Sequence, residues 1–147
     1  DVRRHGSVTI NKIFDEYFAF FDPYEGKELL LGMGRRARYA RQWLLFLQQH
    51  PLFLTPFLPA PTYAWDRDTQ GAAGVREVLG AGIYGYTMNY MGLPAGNIPA
   101  NYNDGLPVGV QIVGQRFRED MILDACEAIE QRVGIMASKL FAREQGN

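Results

Sequence analysis

Residues 89–114 read NYMGLPAGNIPANYNDGLPVGVQIVG and contain two short apolar runs separated by a polar turn. The runs are residues 95–99 and 108–113. Between them, the cluster of Asn101, Asn103, Asp104 and Gly105 favours a chain reversal. The second run is rich in β-branched residues, which predicts a strand with apolar contacts on both faces. Such a strand is typical of a covered central sheet.

Three prolines, Pro94, Pro99 and Pro107, border or interrupt this stretch. Proline has no backbone N–H and cannot donate a hydrogen bond to a neighbouring strand. We therefore expect the three prolines at the ends of the strands, which leaves the paired segments short.

Linked motifs in this stretch carry a family resemblance. They are Asn89-x-x-Gly92-Leu93-Pro94-Ala95, then Pro99, then residues 105–114, GLPVGVQIVG. Together they resemble the carboxyl-terminal part of the amidase signature family, and the match continues from Arg116 through residue 120 into a helix ending near Val133. Upstream, residues 51–56 resemble the short strand of that family that leads into a proline-rich loop. The resemblance implies an α/β fold with helices packed on a short mixed β-sheet, and one carboxyl-terminal segment over residues 1–147.

The resemblance also implies where the chemistry lies. The family hydrolyses amide C–N bonds with a serine nucleophile, a bridging serine in a cis peptide and a lysine, all within an earlier glycine- and serine-rich signature. Nothing in this sequence matches that signature. We therefore expect no catalytic residue and no cofactor in this chain, which would be inactive alone. It would supply sheet strands and one wall of a pocket for a small-molecule amide.

The candidate pocket residues are Gly82, Ile83 and Tyr86, with Trp65 as a fourth. By the resemblance, the helix ahead of the Asn-x-x-Gly-x-Pro turn walls the acyl side of the substrate pocket. Trp65 follows a proline-rich loop beyond a predicted strand, where ligands of α/β sheets gather. The alternative is that these side chains only pack the body of the fold. Residues 80–85 also fit the GxGxxG pattern, but the segment before them has helical character, and a dinucleotide site requires a strand there.

Other nucleophiles and metal ligands are few. Serine occurs only as Ser7 and Ser138, cysteine only as Cys126, and histidine only as His5 and His50. Ser7 is a better helix cap than a nucleophile, and Cys126 lies on an apolar helix face. Two histidines without cysteines or carboxylates at ligand spacing do not predict a metal site.

Composition narrows the partners. The 147 residues are 47% hydrophobic with a net charge of −1, which predicts a folded domain without a general attraction to nucleic acid or anionic lipid. Residues 35–41 hold four arginines, which on a helix spread over a solvated surface. Two alternatives stay open: an A-type component of a tRNA-dependent amidotransferase, for which these arginines are the local support, and a non-catalytic binding or scaffold module.

A single cysteine excludes an internal disulfide and favours a reducing compartment such as the cytoplasm. No apolar run approaches the roughly 20 residues that span a bilayer. The first residue is not a methionine, and no signal-peptide pattern follows it. With the resemblance, this favours a part of a longer protein, which would pair with the missing amino-terminal part or self-associate through its sheet edges.

Helical periodicity and cap residues place the remaining elements. Ser7 caps a helix over residues 8–21, a strand covers residues 52–55, and Gly92 ends a helix over residues 74–91. The other predicted helices cover residues 26–49, 118–131 and 135–145, with Phe141 as the anchor of the last. Residues 67–71 are the one predicted linker.

Overall fold

Helices and strands are interleaved along the chain in the computed structural model, which describes residues 2–145. In chain order they are α1 (Val2–His5), α2 (Val8–Phe18), α3 (Gly26–Gln49), β1 (Leu52–Pro56), α4 (Gly71–Gly80), α5 (Ile83–Met91), β2 (Ala95–Asn103), β3 (Leu106–Gly114), α6 (Glu119–Val133) and α7 (Met136–Gln145). This arrangement confirms the predicted α/β class. Within the described residues, no helix is both long enough and apolar enough to cross a membrane.

The three strands form one sheet in the order β1-β3-β2. Both pairings are antiparallel, with Leu52 opposite Gly114 in one and Ala95 opposite Val113 in the other. The expected mixed sheet is therefore not seen among residues 2–145. The antiparallel pairing of β2 and β3 follows from their connection, because a two-residue turn can join only antiparallel strands.

That reversal is a tight hairpin at the predicted polar cluster. Asn103 pairs with Leu106, and the two residues between them, Asp104 and Gly105, have φ angles of 49° and 79°. Two consecutive residues with positive φ angles are typical of a type I′ turn, for which Asp-Gly is a favoured sequence. The turn type follows from the local sequence, and it sets the register of the whole hairpin.

The prediction that prolines limit the strands was wrong for two of them. Pro99 lies inside β2 opposite Gly109, and Pro107 lies inside β3 opposite Tyr102. Proline is tolerated in β2 because that strand is at the edge of the sheet and has an irregularity just after Pro99. Pro107 is tolerated because β1 pairs with β3 only from Val110 onward, so Pro107 has a neighbouring strand on one side.

The middle of β3 is covered on both faces, as its sequence predicted. Val113 belongs to a core with α3 and α5, whereas the adjacent Ile112 belongs to a core with α6, and both side chains are 0% exposed. Burying a side chain of this size stabilises a fold by roughly 1.5–3 kcal/mol. The first core contains Ala40, Leu47, Met88, Met91, Leu93 and Val113, and the second contains Ile98, Ile112 and Ile122.

The helix predicted over residues 74–91 is two helices, α4 and α5, separated at Ala81 and Gly82. Glycine weakens a helix interior, and Gly80 ends α4 while Gly82 lies within the break. The predicted end of the second helix is confirmed, because Gly92 has a φ of 65° and the Leu93 N–H donates to the Met88 carbonyl at 3.1 Å.

Other local predictions hold with small shifts. The Ile10 N–H donates to Ser7 Oγ at 3.1 Å, which confirms the cap of α2, although α2 ends at Phe18 instead of residue 21. The bounds of α3 are those predicted. The predicted helix over residues 118–131 is α6, which begins one residue later, after Arg118, and ends at Val133.

Two predictions near the ends of elements were wrong. Phe141 does not anchor α7, since it is 64% exposed; Met136 is buried, and its carbonyl accepts the Tyr102 hydroxyl at 2.8 Å. Residues 67–71 are not a loose linker, because they contain the short 3-10 helix Arg67–Thr69, and the Arg67 guanidinium pairs with the Glu77 carboxylate.

Candidate functional site

An apolar cavity of about 500 Å³ lies between α2, α3, α4 and α5. Its volume is in the range of sites for small organic molecules. The wall is mainly aromatic and aliphatic and consists of Tyr17, Phe21, Tyr39, Arg76, Leu79, Gly80, Ile83, Tyr86, Thr87, Tyr90 and Met91.

Two of the candidate residues, Ile83 and Tyr86, line this cavity from α5. They are three positions apart, so a helix places them on one face. Gly82 lies against the second of them: a Cβ on Gly82 would lie 2.8 Å from Cε2 and Cζ of the Tyr86 ring. The ring can take this position because residue 82 has no side chain.

Trp65 does not line this cavity, and its side chain is 95% exposed. Tyr63, two residues earlier, has a buried hydroxyl without a hydrogen-bond partner among residues 2–145. The structure thus brings Gly82, Ile83 and Tyr86 together and leaves Trp65 at the surface.

The polar side chains of the cavity wall are four tyrosines, Thr87 and Arg76. Arg76 lies over the ring of Phe20, with 4.6 Å from the guanidinium carbon to the ring centroid. Burial raises the pKa of Tyr86, and the neighbouring Tyr17 raises it further, so Tyr86 is a neutral phenol at physiological pH. No carboxylate is among the lining residues. This charge pattern suits a neutral or anionic group and disfavours a cation.

Two arginines hold the carboxyl-terminal end of α5. The Arg36 Nε donates to the Tyr90 carbonyl, and Arg116 donates to the Met91 carbonyl from Nη2 at 2.8 Å and to the Gly92 carbonyl from Nε at 3.0 Å. The last carbonyls of a helix lack partners within the helix and carry partial negative charge, which guanidinium groups satisfy. The wall helix is thereby tied to α3 and to the segment after β3.

Sequence reasoning missed the opposite wall of the cavity. Periodicity predicts Tyr17 and Phe21 only as part of an amphipathic face, and it does not single out Tyr39. Sequence reasoning also missed a buried polar pair in the sheet, in which Gln111 Nε2 donates to Thr55 Oγ1 at 3.1 Å. The available signal was that Gln111 is the one polar side chain in the apolar run 108–113.

Ser7, His50 and Cys126 each make structural contacts. Ser7 caps α2, and the His50 ring centroid lies 4.7 Å from that of Phe46. Cys126 packs against the α6 side of the sheet, where burial, and then the charge of Glu130, raises the pKa of its thiol. Within residues 2–145, no three His, Cys, Asp or Glu side chains are grouped to hold a metal ion.

Comparisons with known proteins agree with this architecture. The family model for amidases matches residues 18–123. An indoleacetamide hydrolase from Bradyrhizobium japonicum is 38% identical over 116 residues, which are 78% of this chain and 25% of that protein. The A-type component of the glutamyl-tRNA(Gln) amidotransferase from Streptococcus equi subsp. zooepidemicus is 42% identical over 71 residues, 48% of this chain and 14% of that protein.

The solved structure of the corresponding A-type component of glutamyl-tRNA(Gln) amidotransferase from Thermotoga maritima superposes with a TM-score of 0.62 at 23% identity. It matches 90% of this chain and 27% of its own. The sheet, its covering helices and this likeness define a protein of the amidase-signature α/β fold. Since the family model spans most of the sequence, the chain belongs to the amidase family. It spans 25% of the length of the indoleacetamide hydrolase that it matches.

Proposed function

We propose that residues 1–147 form the carboxyl-terminal segment of a single amidase domain that hydrolyses the C–N bond of a small-molecule amide. In this proposal the chain supplies three sheet strands and the acyl side of the substrate pocket. The apolar cavity along α5, with Ile83 and Tyr86 in its wall and Gly82 against the Tyr86 ring, carries the proposal. Trp65 is left out of the wall because it is almost fully exposed.

The reacting groups of the proposed mechanism lie outside this chain. A serine oxygen attacks the amide carbonyl carbon, the C–N bond breaks, and the amine leaves with a proton relayed through a second serine and a lysine. Water then cleaves the acyl-enzyme ester and releases the carboxylic acid. Backbone donors to the oxyanion contribute about 3–4 kcal/mol in comparable enzymes. The chain alone is therefore expected to be inactive.

The proposed substrate carries an aromatic or bulky apolar acyl group without positive charge. Four tyrosines and a phenylalanine line the cavity, and among the residues that the structure describes Arg76 is the one ionic side chain in its wall. The name of the indoleacetamide hydrolase supports an aromatic acyl group for that relative, with which this chain shares 38% identity.

Amide hydrolysis by the protein as expressed from its own gene tests this proposal. Ile83→Trp fills the cavity and is expected to lower kcat/KM for phenylacetamide by roughly tenfold or more while leaving acetamide turnover little changed. Leu123→Trp, at an exposed position of α6, is the matched control. No amide hydrolysis by the whole protein, or an equal loss for both substrates, would overturn the proposal.

A role as one component of an amidotransferase is the second candidate function, favoured by the similarity to the Streptococcus protein. Its local support is the group of arginines in residues 35–41. Two of them are engaged within the chain: Arg35 Nε donates to the Leu31 carbonyl and Arg36 Nε to the Tyr90 carbonyl. Filter binding to tRNA with a steep salt dependence would favour this candidate. Weak binding that does not change with salt would eliminate it.

We also propose that the chain associates with the remainder of an amidase domain or with a second copy of itself in a reducing, cytoplasmic compartment. The amino-terminal half of α3 exposes Leu29, Leu30, Leu31 and Met33, and β1 and β2 are the two edges of the sheet. Exposed apolar surface and sheet edges favour association. A single sedimenting species with the mass of the monomer, together with cooperative unfolding of these 147 residues, would contradict this proposal.

A further inference from the structure

A second cavity, of about 310 Å³, lies between β1, α3 and α5. It shares only Ile83 and Thr87 with the larger cavity. Its other lining residues are Trp43, Phe53, Thr55, Tyr84 and Met88. Three aromatic side chains and a methionine thus surround a small space with one buried hydroxyl in its wall.

That hydroxyl belongs to Thr55, which is 6% exposed. Gln111 faces it on β3 and donates from Nε2 to Thr55 Oγ1 at 3.1 Å, while Gln111 itself is 2% exposed. A hydroxyl offers one hydrogen and two lone pairs. The glutamine uses one lone pair, and no acceptor among residues 2–145 takes the hydrogen. The hydrogen of this hydroxyl can therefore donate to an acceptor held in the cavity.

The wall also contains the hydroxyls of Thr87 and Tyr84, both of which are less buried than that of Thr55. Thr87 Oγ1 donates within α5 to the Ile83 carbonyl at 2.6 Å, so its hydrogen is used. No lysine, arginine or histidine is among the lining residues. An anionic acceptor would therefore lose its hydration without a counter-charge, which disfavours a carboxylate.

We propose that this cavity binds a neutral aromatic carbonyl compound, whose ring lies among Trp43, Phe53 and Tyr84 and whose oxygen accepts the hydrogen of Thr55. Gln111 is the positioning residue, because its amide holds the threonine oxygen. The site goes beyond the proposed amide hydrolysis and requires no bond to be broken.

Binding of acetophenone to the protein as expressed from its own gene tests the site, with α-methylstyrene as its isostere without a carbonyl oxygen. Protein labelled with ¹³C in the methionine methyl groups distinguishes the two cavities, since Met88 lines only the smaller one and Met91 only the larger one. We expect acetophenone to shift the Met88 signal and to bind roughly tenfold tighter than its isostere, the ratio for one good hydrogen bond.

Two variants complete the test. Thr55→Val is expected to abolish the preference for acetophenone, and Thr55→Ser, which keeps the hydroxyl, is expected to retain it. Equal binding of the two probes to the unsubstituted protein would overturn the proposal even if Thr55→Val does not fold. A shift of Met91 without Met88, or no binding of either probe, would overturn it as well. Because the readout is binding of a ketone, the result is independent of amide hydrolysis.

Discussion

The ring of Tyr86 lies directly over Gly82, so that any Cβ at position 82 would approach Cε2 and Cζ of the ring to 2.8 Å. Real side chains do not tolerate such a distance, so the ring position depends on the absence of a side chain at position 82. This contact joins the start of α5 to the wall of the larger cavity. The first prediction follows from it.

Gly82→Ala is expected to displace the Tyr86 ring and to destabilise the fold by at most about 1 kcal/mol, because the ring is 46% exposed and can rotate away from the new Cβ. The matched control is Gly85→Ala, three residues further on in α5, where a Cβ would meet nothing within 4 Å. Alanine is the better helix former, so the control is expected to stabilise by up to about 1 kcal/mol. Urea unfolding of both variants checks the prediction, and equal changes would contradict it.

Arg116→Ala is expected to loosen the carboxyl-terminal end of α5, because the Met91 and Gly92 carbonyls lose their guanidinium donors. Hydrogen bonds to a charged group contribute about 1.5–3 kcal/mol, and partial exposure places the expected loss in the free energy of unfolding at the low end. Arg118→Ala is the control, since Arg118 bonds Asp120 at the surface and should have no measurable effect. Similar losses in the two variants would show that the helix-end contacts contribute nothing specific.

Thr55→Val is expected to destabilise the fold by about 1–3 kcal/mol, because the Gln111 amide remains buried without its acceptor. Gln111→Met removes the other partner, and the double variant replaces both polar groups with apolar ones. The free energy of unfolding of the double variant should therefore fall by less than the sum of the decreases in the two single variants. Thermal or urea unfolding of all four proteins measures this coupling, and strict additivity would mean that the pair does not interact.

Cys126 is expected to react slowly with iodoacetamide at mildly alkaline pH in the folded protein and faster in denaturant. Burial, and then Glu130, raises the pKa of the thiol above its ordinary value, and the thiolate is the reactive form. Because folding favours the neutral thiol, Cys126 lowers the free energy of unfolding only when the pH rises above the ordinary thiol pKa. Equal alkylation rates in the folded and denatured protein would show that packing against the sheet does not shield Cys126.

Tyr17→Phe is expected to lower the pKa of Tyr86 toward its ordinary value without restoring it. Burial is the larger cause of the raised pKa and persists in the variant, whereas the charge of Tyr17 is removed. An acid whose pKa is raised by folding destabilises the fold only above its ordinary pKa, so the effect appears only in strong alkali. The ultraviolet absorbance of tyrosinate follows this titration. A titration curve that Tyr17→Phe leaves unchanged would show that Tyr17 does not interact with Tyr86.

Local chemistry accounts for most of the correct sequence predictions. Ser7 caps a helix because its oxygen reaches the N–H of Ile10, three residues on. Gly92 ends a helix because glycine adopts a left-handed backbone without strain. The hairpin at Asp104 and Gly105 has the same origin. In each case the deciding contacts lie within a few residues.

The errors occur where distant segments decide. Local sequence places Pro99 and Pro107 at strand ends, but the strands continue past them because the missing N–H groups need no partner at a sheet edge or beyond the end of β1. Size alone favours Phe141 as an anchor, but α7 docks through Met136 and Tyr102. The order of the strands, unknown from one sequence, was the missing information.

By itself the sequence determined the α/β class and most helix bounds, because periodicity and capping are local properties, and its motifs carried the resemblance to the family. The pocket candidates Ile83 and Tyr86 came from that resemblance and stay predictions. Only the tertiary structure placed Tyr17 and Tyr39 across the cavity from α5, and only the sheet register set Thr55 against Gln111. Thr55 and Gln111 lie 56 positions apart. No local preference encodes such a contact, since it forms only when β1 pairs with β3.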